Sequence, residues 1–318
     1  MFGFLLVFSV LIILSSYSWM MMWIGLEINF IAIIPLMKMK SSTESMLVYF
    51  IIQVISSSII IFSFISLMSL SQINYSDKEY FVYFINFALF LKVGMIPLHF
   101  WLIPVIEGLS WTKIMMMMTW QKVGPLVMLM FFMKQNFAFI FIFLSFMFSG
   151  IFSLNQSSLR KIMLFSGINN LSWLVLTVML SKSLFFTYLI VYTFINMSVF
   201  TLFSSMNINY LSQINFSSMK IITALSILNL TGLPPLSGFY LKWLTIQFLI
   251  EKCLYFICIF GILSSLLMIF SYLRIFIMIF TKINLNFSLK LSMEMSAVSV
   301  WIFNLLFFPL LLLMTYFF

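Results

Sequence analysis

Four ionisable side chains stand inside otherwise apolar runs of this sequence: Glu27 in IGLEINF, Lys92 in LFLKVGM, Lys122 in TWQKVGP and Lys242 in FYLKWLT. Each costs on the order of 2.5–3.5 kcal/mol to hold at the centre of a membrane helix. That is a large share of the ~5–15 kcal/mol by which a domain is stable. A single such charge can snorkel or form an inert pair. Four on separate helices, three of them beside a Gly or Pro, point to a function.

The chemistry they suit is proton transfer. An amine withdrawn from water holds its proton less firmly, and a carboxylate beside it restores the hold. At about 6 Å and an effective dielectric of 20, a Glu–Lys pair is worth roughly 2.8 kcal/mol. Moving one charge against 100 mV takes about 2.3 kcal/mol. Making and breaking one pair is therefore of the size needed to load or release a proton. Polar residues at one-turn spacings are candidates for a water chain: Gln53 and Ser56, Ser166 with Asn169 and Asn170, Asn196, and Ser226 with Asn229. Their plainer role is hydrogen bonding between helices. His99, the single histidine, is a candidate relay or an ordinary buried ring, and both readings stand.

These groups need a membrane to hold them. Hydrophobic residues make up 64% of the 318 and charged residues 7%, too little polar surface for a soluble chain of this size. The sixteen Lys and Arg are scattered singly and form no patch for nucleic acid. Cys253 and Cys258 lack a second pair to complete a metal site, one histidine excludes a bis-histidine haem, and no nucleotide-binding glycine motif is present. We therefore expect no cofactor and no metal in this chain. The opening MFGFLLVFSVLIILSS reads as a first spanning helix and not as a removable signal. With 27 Met and 41 Phe against ten Gly, the composition hints at an AT-biased organellar genome.

At about 20 apolar residues per crossing, the chain reads as all-α and polytopic. About eleven transmembrane helices are expected near 2–18, 20–37, 45–70, 80–106, 112–133, 137–154, 160–180, 184–206, 219–250, 253–280 and 296–317. Eight loop lysines and arginines fall on the N-terminal side: Lys38, Lys40, Lys113, Arg160, Lys161, Lys220, Lys282 and Lys290. Lys78, Lys134, Lys182 and Lys252 fall on the other, so the N-terminal side is the inside and the C-terminus lies outside.

Two helices share G-x-x-P-L in mid-span: Gly94 to Leu98, with Pro97, and Gly232 to Leu236, with Pro234 and Pro235 and with Gly238 following. Proline removes a backbone donor and glycine loosens the turn, so each helix is expected to break, near 94–97 and 232–238. They are the fourth and ninth helices, five places apart, so they cross in opposite directions, which makes the two halves inverted repeats of the transporter kind. The division expected is a single transmembrane domain over 1–318, with repeat one about 1–133, repeat two about 137–280 and a C-terminal helix about 296–317.

Several of these stretches in order resemble one family: WIGLEINFIAIIPLM at 23–37, KVGMIPLHFW at 92–101, TWQKVGPL at 119–126, LNQSSLRKIMLFSGINNLSW at 154–173 and LTGLPPLSGFYLKW at 230–243. The chain resembles, nearly end to end, the subunit 2 family of mitochondrial NADH:ubiquinone oxidoreductase (respiratory complex I), in its animal form with eleven helices. These are antiporter-like subunits of the membrane arm, related to cation/proton antiporters. The resemblance implies that Glu27 and Lys92 form a coupling pair, that Lys122 is a central lysine and that Lys242 follows the second broken helix. It also implies the mitochondrial inner membrane, an N-terminus in the matrix and a C-terminus in the intermembrane space. Other membrane-arm subunits, including neighbouring antiporter-like subunits, and lipids are the implied partners. NADH, FMN, iron–sulfur clusters and ubiquinone are implied in other subunits. One departure is visible: the family commonly reads W-x-P-E-V where this chain has Trp101-Leu102-Ile103-Pro104-Val105.

The expectation is thus a proton-translocating subunit driven by NADH-to-ubiquinone electron transfer elsewhere in the complex. Two alternatives are a stand-alone cation/proton antiporter and a structural subunit that bridges other pumps without its own proton path.

Overall fold

A membrane-spanning backbone must satisfy its own polar groups, and for apolar runs of this length the helix does so within one segment. A computed structural model describes residues 2–37, 43–69, 75–206, 208–213, 220–234 and 236–281. Thirteen α-helices and no strand occur among the described residues. They are α1 Phe2–Ser15, α2 Trp19–Met37, α3 Thr43–Ser69, α4 Tyr75–Val93, α5 Leu102–Gly108, α6 Trp111–Met118, α7 Trp120–Phe132, α8 Gln135–Leu154, α9 Leu159–Leu180, α10 Lys182–Met206, α11 Lys220–Thr231, α12 Ser237–Glu251 and α13 Tyr255–Thr281. Seven stretches are long and apolar enough to cross a membrane, and Phe2–Ser15 and Ile222–Thr231 are shorter apolar helices. The chain is a multi-pass membrane protein.

Helices stand at ten of the eleven expected positions, and the eleventh, 296–317, lies outside the described residues together with Lys38, Lys40, Lys282, Lys290 and Pro235. The excess of helices over spans comes from interruptions. The expected span 80–106 starts earlier and divides into α4 and α5, and 219–250 divides into α11 and α12. A third interruption was not expected where it occurs. The span 112–133 divides at Thr119, a turn residue between α6 and α7 with φ −113° and ψ −76°, while Gly124 and Pro125 lie inside α7. Pro125 lacks the N–H that would reach the Gln121 carbonyl, and the turn before it tightens, with the Lys122 N–H on the Thr119 carbonyl at 3.2 Å.

The chain forms two compact units, Met1–Ser145 and Phe146–Phe318. Within each, cations tie helix ends together by donating to last-turn carbonyls, where the helix dipole is negative. In the first unit the Lys113 ammonium reaches the Met37 carbonyl at 3.1 Å. In the second, Lys252 donates to Met179 and Leu180, and Arg274 to Leu154, Ser153 and Gln156. The loops before Leu159 and around Tyr210 meet in an isolated antiparallel bridge, Ser158 to Tyr210. Lys134 pairs with Glu79 at 2.8 Å.

The Lys134–Glu79 pair is exposed. Its hydrogen bond to Glu79 holds the Lys134 ammonium above the usual lysine range. The contribution is therefore present below the free-lysine value and fades as pH rises through the raised one. Exposed pairs contribute little. Lys134→Ala is expected to leave the yield of folded protein at the wild-type level, read by detergent-purified yield and thermal aggregation.

Candidate functional site

In the first unit the site is built on the end of α4. Gly94 takes φ +74°, and its N–H and that of Met95 both return to the Phe90 carbonyl at 2.8 and 3.2 Å. That turn stops the helix and leaves the carbonyls of Leu91 and Val93 without helical donors. The Trp101 indole N–H donates to Leu91 at 3.1 Å, and the Lys122 ammonium, from α7, donates to Val93. Lys122 Nζ also lies 5.5 Å from the centre of the Trp101 ring, within cation–π reach. A lysine thus sits on the negative end of a half-helix, on the buried side of the break.

Lys92, one residue before Val93, forms an ion pair with Glu27 of α2, Nζ to Oε1 3.7 Å. Its side chain is 2% exposed and that of Glu27 22%. At this separation and an effective dielectric of 20 the attraction is about 4.5 kcal/mol, more than one charge gains or loses across 100 mV, about 2.3 kcal/mol. A cavity of about 20 Å³ lies between the two lysines, lined among others by Lys92, Lys122, Asn29, Tyr49, Gln53 and Gln121. That is room for about one water. A side-chain chain borders it: the Tyr49 hydroxyl donates to Gln121 Oε1 at 3.2 Å, and Gln121 Nε2 donates to Asn29 Oδ1 at 3.0 Å. Acid, two amines and a polar, water-sized gap between the amines can pass a proton.

The second unit repeats the device with different parts. Gly232 takes φ +76° and ends α11 at Thr231. The Lys242 ammonium, from α12, donates to the Thr231 carbonyl at 2.7 Å. In both units, therefore, a buried lysine caps the carbonyl just before a left-handed glycine. In the first unit the lysine comes from a separate helix, and in the second from the following half of the broken one. Asn229 holds those halves together. Its Oδ1 accepts from the Gly238 N–H at 2.8 Å, and its amide exchanges hydrogen bonds with the Ser237 hydroxyl at 3.1 and 3.2 Å.

The structure brings Glu27, Lys92 and Lys122 together in the first unit and places Lys242 in the second. His99 is buried just after the first break, its ring 4.5 Å from that of Phe100, and does not line the cavity of Lys92 and Lys122. Pro97 follows a cis peptide bond inside that break, and Pro234 lies in the second. Of the proposed water-chain residues, Gln53, Asn170 and Asn229 line cavities beside the lysines. Ser56, Ser166 and Ser226 instead bond carbonyls of their own helices, and Asn169 accepts a bond from Ser264 of α13. Among the described residues no three His, Cys, Asp or Glu side chains gather where they could share a metal ion.

Sequence reasoning missed Asn29, Tyr49, Trp101 and Gln121 in the first unit and Tyr188 and Tyr192 in the second. Two carried a usable signal: Asn29 stands two residues after Glu27, and Gln121 immediately precedes Lys122. The tyrosines lie in an ordinary amphipathic run and carried none.

Comparison with known proteins follows this geometry. Residues 16–268 match the family model described as NADH:quinone oxidoreductase/Mrp antiporter, transmembrane. The NADH-ubiquinone oxidoreductase chain 2 of Anopheles gambiae is 37% identical over 94% of this chain and 92% of its own length. That of the hagfish Myxine glutinosa is 34% identical over 94% and 90%. Among solved structures, respiratory complex I from Thermus thermophilus with bound aureothin contains a similar fold, with a TM-score of 0.85 at 17% identity over 96% of this chain and 75% of that one. A Dietzia Mrp complex gives 0.77 at 14% identity over 86% and 59%.

Proposed function

The chain belongs to the NADH:quinone oxidoreductase/Mrp antiporter transmembrane family, and on that premise we propose that it is the chain 2 subunit in the membrane arm of a proton-pumping NADH:ubiquinone oxidoreductase. The identity of 34–37% to chain 2 relatives over nearly the whole chain supports this assignment. The observation that carries the mechanism is the Glu27–Lys92 ion pair standing beside a water-sized cavity shared with Lys122.

The residues divide the work as follows. While Glu27 holds Lys92, the Lys92 charge is compensated and Lys122 is the less crowded cation. When Glu27 lets go, Lys92 and Lys122 are two unscreened amines across one small cavity, and one proton must leave. The loss of proton affinity passes from Lys122 toward Lys242, which holds its proton against the Thr231 carbonyl. Electron transfer from NADH to ubiquinone in other subunits drives the cycle, and this chain contributes no redox group. The setting is the mitochondrial inner membrane, with the N-terminus in the matrix, in contact with neighbouring antiporter-like subunits and lipid.

The test is the assembled complex carrying Glu27→Gln. Removing the carboxylate deprives Lys92 of about 4.5 kcal/mol of attraction, so the pair can no longer switch. Coupled proton pumping is expected to fall several-fold with the complex assembled, read as pH-dye quenching in vesicles per NADH oxidised. A pumping ratio equal to wild type would remove the pair from the mechanism. Fold likeness to the Mrp complex favours a second reading, exchange of a cation for protons by the chain alone. Purified chain in vesicles under a sodium gradient tests it, and internal alkalinisation or acidification without partners would support it.

A further inference from the structure

The Lys242 ammonium opens toward a second, smaller space inside the second unit. A cavity of about 10 Å³ is lined by Lys242, Asn170, Asn229, Tyr188 and Tyr192, with apolar residues of α10, α11 and α12 completing the lining. This volume sits at the lower limit for one water. Its polar walls supply more than the two partners a water needs.

One of those walls is chemically unfinished. The Tyr192 hydroxyl is buried, the residue only 4% exposed, and makes no hydrogen bond of ordinary geometry. Asn196, one turn on, is a hydrogen-bond partner of the hydroxyl only outside ordinary geometry, and its Nδ2 makes no other bond of ordinary geometry. A buried hydroxyl without a well-aligned partner is destabilising. If packing alone were at stake, phenylalanine would serve better at this position. Asn229 does not complete the hydroxyl, because its amide is committed to Ser237 and Gly238.

We propose that Tyr192 is a positioning residue for proton release from Lys242, holding in this cavity the water that receives the proton. The inference rests on the proton-carrying role of Lys242 and extends it. An N–H bond of the ammonium breaks and an O–H bond forms on the water, giving a neutral amine and a hydronium ion. The Tyr192 oxygen accepts a hydrogen bond from that hydronium, which offsets part of the cost of a charge in an apolar surround. No electrons move. The vacated lysine remains on the Thr231 carbonyl through a neutral N–H, ready to be reprotonated.

The experiment compares Tyr192→Phe and Lys242→Met in the assembled complex. Each is scored for assembly, for protons moved per NADH oxidised, and for the solvent isotope effect on pumping in D2O. Tyr192→Phe is expected to assemble at the wild-type level, since the lost hydroxyl makes no well-aligned hydrogen bond in the protein. Its pumping is expected to drop by the same share as that of Lys242→Met, and its isotope effect to differ from wild type. Wild-type pumping in Tyr192→Phe beside impaired Lys242→Met overturns this inference alone. Wild-type pumping in both overturns the role of Lys242 as well. Failure of Tyr192→Phe to assemble also overturns the inference, because the hydroxyl would then be a structural group.

Discussion

A complex carrying Lys122→Met is expected to assemble normally and to lose most or all of the proton pumping that depends on this subunit. The two halves of that expectation come from opposing terms. Methionine matches the lysine stem in volume, and removing a buried ammonium relieves a desolvation penalty of roughly several kcal/mol. Against this, the Val93 carbonyl loses its donor, a penalty of roughly 1–3 kcal/mol for an unpaired buried acceptor. The terms are of similar size and opposite sign, so stability should change little. Function should change greatly, because no other amine faces Lys92 across the cavity that both lysines line. Protons moved and NADH oxidised are measured together in sealed vesicles, with assembly followed on native gels. Wild-type coupling in such a complex would favour the rival view, in which the buried lysines are structural caps.

That rival deserves a direct comparison, because capping is what other cations in this chain do. Lys113, Lys252 and Arg274 also donate to last-turn carbonyls of neighbouring helices. The difference lies in location. Lys113, Lys252 and Arg274 cap helices that end at the ends of the bundle, beside loops, and keep part of their surface open. Lys122 and Lys242 cap helices that stop in mid-span, and they are 3% and 9% exposed. A cap at a loop replaces water, whereas a cap in mid-span exists only because the helix was broken there. The break exposes a carbonyl in an apolar surround, and a lysine supplies the charge to meet it. A helix without the break would need neither, which fits the proposed use of the charge.

Most of this was legible in the sequence, for a physical reason. An ionisable residue in a 20-residue apolar run has no inexpensive explanation, so Glu27, Lys92, Lys122 and Lys242 stood out before any fold was known. Proline and glycine in mid-span have equally few readings, and Gly94 and Gly232 take the left-handed backbone that ends a helix. The partners of the lysines were not legible. The acceptors are the carbonyls of Val93 and Thr231, and a backbone carbonyl has no sequence signature. The estimate of about 6 Å for the Glu–Lys pair was also too long, because only packing of α2 on its neighbours sets the 3.7 Å found. The split at Thr119 was hidden for a similar reason: Pro125 is the residue the sequence marks, but the turn lies six residues earlier, at Thr119.

Gly238→Ala is expected to be the most damaging single-methyl change in the described part of the second unit. A β-carbon at Gly238 would lie 2.0 Å from the backbone oxygen of Asn229, and that oxygen cannot retreat as a side-chain tip could. Asn229 is fixed twice, by its place in the last turns of α11 and by its Oδ1, which accepts the Gly238 N–H itself. Relief therefore requires α11 and α12 to move apart. Moving them breaks the Asn229 bonds and withdraws Lys242 from Thr231. Overpacking commonly costs about 1–3 kcal/mol, and a clash against backbone in a hydrogen-bonded latch belongs at or beyond the top of that range. The assembled complex should fall to a small fraction of wild type, measured by immunoblot of native gels. The matched control is Gly3→Ala, where a β-carbon meets nothing within 4 Å and assembly should be unaffected. Normal assembly and normal pumping in Gly238→Ala would mean that the two halves of the broken helix are not held in contact, and the position assigned to Lys242 would have to be abandoned with them.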